Sequence, residues 1–185
     1  MAEDTGEVQI TVYGISGIPV FQISRYIAKD LYKTQPSEVW IDFLPDMSEE
    51  EVLSYLINRR NQMPERTTEE YLTGIFNKKL IPCLLSLAGI SNNIKVNTLT
   101  DKYIKRLSVV LKRTTLEIAD TNGFDNAQVC AGGVPLTEIH PQTMESRCID
   151  GLYLTGELLD VDGICGGYNL QWAWTTGYLA GLNAI

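Results

Sequence analysis

The sequence predicts an α+β fold made of short strands, a compact helical subdomain and a glycine-rich C-terminal segment. Three observations carry that expectation. Strand-like runs alternate with one helical run at the start of the chain. Helical spacing then dominates from about residue 48 to 112, and the last third returns to strand-like runs before a single apolar helix. At 185 residues, 44% hydrophobic and 21% charged, the chain has the balance of a globular protein with a sizeable core.

Taken in order, residues 7–13 (EVQITVY) alternate as a strand does, and residues 14–19 (GISGIP) have turn chemistry. Val20, Ile23, Ile27 and Leu31 recur at helical spacing, and residues 38–44 (EVWIDFL) read as a second strand. Ser48 followed by Glu51 is a capping box, in which the hydroxyl accepts from the third amide while the carboxylate reaches back. Val52, Leu53, Leu56 and Ile57 form the buried stripe behind it. Thr67 and Glu70 repeat the device ahead of Tyr71, Leu72, Ile75 and Phe76. A third helix is expected over residues 80–88 with Gly89 as its stop, and a fourth from about Thr98 that buries Leu99, Tyr103, Ile104, Leu107 and Leu111. Residues 114–120 and 127–131 read as strands joined at Thr121-Asn122-Gly123, and residues 151–155 as one more. From Asn169 the chain is apolar almost all round, as a helix buried on most sides would be.

The net charge of −8 is unevenly spread. Residues 1–119 hold 15 acids and 14 bases, whereas residues 120–185 hold eight acids and one base, which marks a domain boundary near 119. So acidic a tail repels nucleic acid and anionic membrane, and neither is expected as a partner. Arg59, Arg60, Lys78, Lys79, Lys105, Arg106, Lys112 and Arg113 make a helix-turn-helix conceivable, but with acids along the same stretch they read as a solvated face. No apolar run reaches the roughly 18 residues of a membrane span. The acidic start, MAEDTGE, is unlike a signal or transit peptide, so a cytoplasmic location is expected. Cys83, Cys130, Cys148 and Cys165 are too scattered for a zinc site with the lone His140, and are expected to be reduced. Cys165 reads as a packed thiol and His140 as a surface residue.

Two features suggest chemistry. Gly156-Glu157 follows a strand-like run, which puts a carboxylate where ligands gather in α/β sheets and where it could accept from sugar hydroxyls. Gly166-Gly167 leads straight into the apolar helix. Paired glycines admit a ligand to the backbone, and the helix start presents about half a positive charge. A flavin, negative near N1 and O2 when reduced, or a pyrophosphate would be stabilised there by backbone dipoles despite the acidic side chains. Equally, a glycine pair can serve packing alone and a strand-end glutamate can be a cap.

The order of Ala131-Gly132-Gly133-Val134, Thr143-Met144-Glu145-Ser146, Gly151-Leu152-Tyr153, Gly156-Glu157, Asp160-Val161-Asp162-Gly163 and Gly166-Gly167-Tyr168-Asn169-Leu170-Gln171-Trp172 closely resembles the C-terminal segment of the BaiN-like flavoproteins. This bacterial family is of the NAD(P)/FAD-dependent, aminoacetone-oxidase type. Tyr13-Gly14-Ile15-Ser16-Gly17 and the helical stretch resemble that family's inserted domain, so the likeness covers nearly all of the chain. It implies a helical insert subdomain within residues 1–119 and an incomplete FAD-binding, Rossmann-like segment over residues 120–185. By the same likeness, Gly156 and Glu157 would approach the ribityl and pyrophosphate region. Gly166, Gly167, Tyr168, Asn169 and Leu170 would bring amides to the flavin ring, which Gly132 and Gly133 would border.

The family's opening G-x-G-x-x-G motif is absent from this sequence, as is most of the parallel sheet. The chain is therefore expected to be the C-terminal part of an FAD-dependent oxidoreductase, inactive without an N-terminal half. Its partners would be that half, or a second copy joined through apolar surface around Trp172, Trp174 and Tyr178. The alternative is a non-catalytic interaction or structural remnant that does not bind FAD alone. No catalytic acid or base is assigned.

Overall fold

A computed structural model describes residues 2–184 and has an α+β architecture of six helices and two two-stranded sheets among them. By contact the chain divides into two compact units, residues 38–118 and residues 1–37 with 119–185.

The helical unit forms because each amphipathic helix can bury its apolar stripe only against its neighbours. Strand β3 (Ser37–Ile41) pairs with β4 (Thr114–Ile118) and brackets helices α2 (Glu49–Gln62), α3 (Thr68–Leu72), α4 (Ile81–Leu87) and α5 (Asp101–Lys112). Val52, Leu56, Tyr71, Leu72, Ile81, Leu84, Leu85, Ile104, Leu107 and Leu111 are fully buried in one core. Both capping boxes form as expected: Ser48 Oγ accepts from the Glu51 amide at 3.2 Å, and Glu51 Oε2 accepts from the Ser48 amide at 2.8 Å. Thr67 and Glu70 do the same for α3. That helix is shorter than expected. It stops at Leu72, so Ile75 and Phe76 pack against the core from the following turn. Lys112 Nζ ties the unit together, ion-paired to Asp42 at 2.6 Å and donating to the Leu44 carbonyl at 3.0 Å.

The caps make a pH prediction. Backbone hydrogen bonds from Ser48 and Thr67 hold the Glu51 and Glu70 carboxyls below the ordinary glutamate range. A depressed folded pKa contributes stability that is present above the unfolded value and is lost as pH falls through the folded one. Helicity of α2 and α3 should therefore decline on acidification below the unfolded glutamate range. The double variant Glu51→Gln, Glu70→Gln should flatten that part of the profile, as measured by far-UV circular dichroism against pH.

The other unit differs more from expectation. Residues 7–16 form a tight antiparallel hairpin, β1 (Gln9–Thr11) with β2 (Gly14–Ser16), instead of one strand and a turn. Reversal occurs at Val12-Tyr13, so the GIS segment becomes the return strand. Helix α1 (Ile18–Tyr32) follows, with Pro19 in its first turn. Residues 127–131 and 151–155 form no strand. β4 pairs with β3 alone, and the chain leaves it through a 3-10 turn at Phe124–Asn126 instead of the tight reversal a hairpin needs. Residues 151–155 make only the isolated Glu145–Tyr153 bridge, and the Leu154 amide donates to the Met144 carbonyl at 3.0 Å. A short satellite core of Ile139, Met144, Leu159 and Ala180 holds this unit with Val134, Tyr153, Leu154, Trp172 and Leu179. Its last helix is α6 (Tyr168–Asn183). Among the described residues no helix is long and apolar enough to cross a membrane.

Candidate functional site

The glycine-rich segment and α6 form one assembly. Gly156 sits in the angle between chain and helix: its amide donates to Thr176 Oγ1 at 2.9 Å, and its carbonyl accepts from Trp172 Nε1 at 3.1 Å. A Cβ at Gly156 would lie 3.4 Å from that of Ala173. This position docks α6, and the indole expected at the surface is held by it. The α6 face turned to the rest of the unit carries Trp172, Ala173, Thr176, Leu179 and Ala180, at i, i+1, i+4, i+7 and i+8. The opposite side is not buried. Trp174 and Tyr178 are each 67% exposed, Leu170 60% and Leu182 57%, and together they make an apolar stripe at four-residue spacing.

Gly133 is also bound into the frame. A Cβ there would fall 2.7 Å from the Leu158 carbonyl oxygen and 2.8 Å from the Leu159 carbonyl carbon. Val134 pairs with residues 158–160 through two backbone hydrogen bonds of 2.8 and 3.0 Å, which brings the chains that close. Gly132, by contrast, has open space around it. The carboxylate of Glu157 accepts from the Cys130 amide at 2.8 Å and so steadies the approach to Gly132. Glu157 is exposed, and its other oxygen meets no donor among the described residues.

Residues 160–167 then lead to the helix start. Asn169 closes this loop, with Oδ1 accepting from the Gly163 amide at 2.7 Å and Nδ2 donating to the Gly163 carbonyl at 3.1 Å. The Asn169 side chain is thereby occupied, and only its main chain faces the helix terminus. Gly167 is left-handed at φ 91°, a conformation that costs an L side chain about 1–2 kcal/mol, and none of the described residues stands where its Cβ would be. The first amides of α6, on Tyr168, Asn169 and Leu170, have no intrahelical acceptor, and no side chain among the described residues caps them. Tyr168 and Leu170 are exposed beside them. The arrangement offers a row of free donors, a helix dipole and unhindered backbone access, which suits an anionic or carbonyl-bearing planar ligand and so fits the ring end of a flavin.

Sequence reasoning missed the anchors of this loop on α1. Arg25 Nη1 donates to Asp162 Oδ2 at 2.8 Å and to the Asp162 carbonyl at 3.0 Å, while Gln22 Oε1 accepts from the Cys165 amide at 3.1 Å. The i, i+3 spacing of Gln22 and Arg25 puts them on one helix face, but nothing local signals a partner some 140 residues away. Cys165 is exposed and not packed, and all four thiols are free. His140 is exposed, and its main chain shapes the turn before Met144. The Thr143-Met144-Glu145-Ser146 motif proves structural: Met144 is buried at φ 64°, Glu145 accepts from the Gly151 amide at 2.9 Å, and Ser146 Oγ accepts from the Cys148 and Ile149 amides. Among the described residues no group of His, Cys, Asp and Glu is arranged to hold a metal.

In the helical unit, Lys102, Lys105 and Arg106 of α5 line an open groove with Leu87, Gly89 and Val109. The bases are segregated there instead of interleaved: between Tyr71 and Arg113 the only acid is Asp101.

Comparison with known proteins gives the lineage. A family model described as the HI0933-like protein barrel and H2TH domain matches residues 1–129. A 3-dehydro-bile acid delta(4,6)-reductase of Clostridium scindens is 60% identical over 98% of this chain and 44% of its own length. Ribosomal RNA dihydrouridine synthases of Haemophilus influenzae and Escherichia coli are 33% and 34% identical over 96% and 93% of the chain. The chain spans 42% and 40% of those two proteins, and so under half the length of each relative. The glycine-rich motifs, the helical unit and these relatives agree, and the chain belongs to the HI0933-like, BaiN-like family of FAD-dependent oxidoreductases.

Proposed function

We propose that this chain is the flavin-contacting C-terminal part of an FAD-dependent oxidoreductase that saturates a carbon–carbon double bond conjugated to a carbonyl. The start of α6 carries the reading, with three unpaired amides beside a left-handed glycine whose Cβ position is open. Read as chemistry, the names of the relatives describe one reaction type, since a 3-oxo steroid diene and a uridine ring each gain two hydrogens across a conjugated double bond. The flavin, when bound and already reduced, would supply the hydride.

The chain's own residues bind and orient. The amides of Tyr168, Asn169 and Leu170 and the α6 dipole stabilise negative charge on the flavin ring, and Gly166 and Gly167 let it come close. The free oxygen of Glu157 accepts from a ribityl hydroxyl. Gly132 borders the ring, while Gly133 and Gly156 hold the wall behind it. Residues 120–185 belong to a Rossmann-like FAD domain and residues 1–119 to its insert. The Leu170, Trp174, Tyr178 and Leu182 stripe packs against the dinucleotide-binding half, in the cytoplasm. No residue of this chain is assigned as acid or base.

Titration with FAD, followed by flavin fluorescence in the presence of the dinucleotide-binding half, tests the reading. Gly167→Val both strains the backbone and fills the open approach, and should weaken FAD binding by roughly tenfold or more. Unchanged affinity would overturn the site.

A second reading, an interaction module that takes no flavin itself, is favoured by the basic groove on the helical unit. In the same titration it would show as no FAD binding under any pairing.

A further inference from the structure

Residues 160–167 are an improbable segment to be ordered. They include Gly163, Gly166 and Gly167, and glycine loses more conformational freedom on folding than other residues. One end is fixed where the Asp160 amide donates to the Val134 carbonyl at 3.0 Å, and the other where Asn169 grips Gly163. The Asp162 and Cys165 contacts come from a single face of α1.

The arginine contact is also unusual in shape. A stabilising arginine–carboxylate pair normally forms a two-nitrogen fork. Here Nη1 alone serves both the side chain and the main chain of Asp162, while Nε is buried with no partner among the described residues. That geometry gives up one hydrogen bond of the fork and fixes the peptide carbonyl of Asp162 in its place. The pair is about a quarter exposed at each partner, so its charge attraction alone contributes little stability. Its consequence is the loop path, which delivers Gly166 and Gly167 to the start of α6 in the conformation that leaves the amides free.

We propose that Arg25 and Gln22 of α1 are positioning residues for the flavin-binding end of α6, acting through the loop at residues 160–167. This rests on the flavin reading above and extends it to a helix that carries none of the resemblance motifs of the C-terminal segment. The insert's first helix thereby sets the cofactor affinity of a loop far along the chain.

Hydrogen exchange and FAD titration of the full flavoprotein test the proposal together. In Arg25→Ala, exchange should accelerate at residues 161–167 without FAD, while residues 176–183 of α6 keep their protection. FAD affinity should fall by roughly tenfold, and the thermal midpoint without FAD should move by no more than about 3 °C, in line with a weak exposed pair. Arg25→Lys, which keeps a charge that reaches Asp162, should recover part of the affinity, and Gln22→Ala should show the same loosening at Cys165. Unchanged loop exchange in Arg25→Ala would overturn the clamp itself. Looser exchange with unaltered FAD affinity would overturn the positioning role. If the unaltered protein takes no FAD, the flavin reading fails first, and the positioning role falls with it.

Discussion

Gly133→Ala should destabilise the glycine-rich unit by about 3 kcal/mol, seen as a lower urea midpoint with loss of near-UV signal from Trp172. The added methyl meets backbone on three sides: the Leu158 oxygen at 2.7 Å, the Leu159 carbon at 2.8 Å and the Asp160 nitrogen at 2.9 Å. None of these atoms can move without breaking the hydrogen bonds that join Val134 to residues 158–160. The φ of 152° adds strain for any L side chain. Gly132→Ala next door is the control. It meets nothing within 4 Å and should cost only the backbone term, about 1 kcal/mol. A loss of FAD affinity in Gly132→Ala without loss of fold would mark that residue as bordering the ring. Equal destabilisation by both variants would refute the distinction.

Leu107→Ala should cost the helical unit about 3 kcal/mol, by lost transfer energy and the cavity left behind. Leu107 is fully buried on α5, in a core it shares with Val52 and Leu56 of α2 and Leu84 and Leu85 of α4. Three helices meet through these side chains, and a closely packed interior relaxes only partly around a void. For a unit of this size the thermal midpoint should drop by roughly 15 °C. Val109→Ala, two residues on and 56% exposed, should move it by less than about 3 °C. A scanning calorimeter separates the two outcomes, and a small shift for Leu107→Ala would mean that the core is looser than its burial implies.

The helical unit was the most legible part of the chain, because its determinants are local. A serine or threonine three residues before a glutamate supplies both halves of a cap within one turn, and a 3.6-residue stripe declares its buried face without knowing the partner. The expected residues Val52, Leu56, Ile104, Leu107 and Leu111 are fully buried for that reason. Strands were less legible. A β run needs a neighbour, and the sequence of residues 127–131 cannot report that no strand comes to lie beside it. Nor can EVQITVY report that its chain turns back at Val12.

The candidate site divides along the same line. By itself the sequence determined the family, the glycine positions and a helix that follows the Gly166-Gly167 pair, since motif order and backbone chemistry reside in the residues themselves. Only the tertiary structure decided which glycines serve packing and which face open space. Gly133 and Gly156 are glycines because another chain segment or helix lies against them, whereas Gly132 and Gly167 have room beside them. It also decided the duty of Asn169 and the anchoring of the loop by Gln22 and Arg25. Such contacts depend on which atoms end up within hydrogen-bond reach, and that is a property of the packed chain, not of any stretch of it.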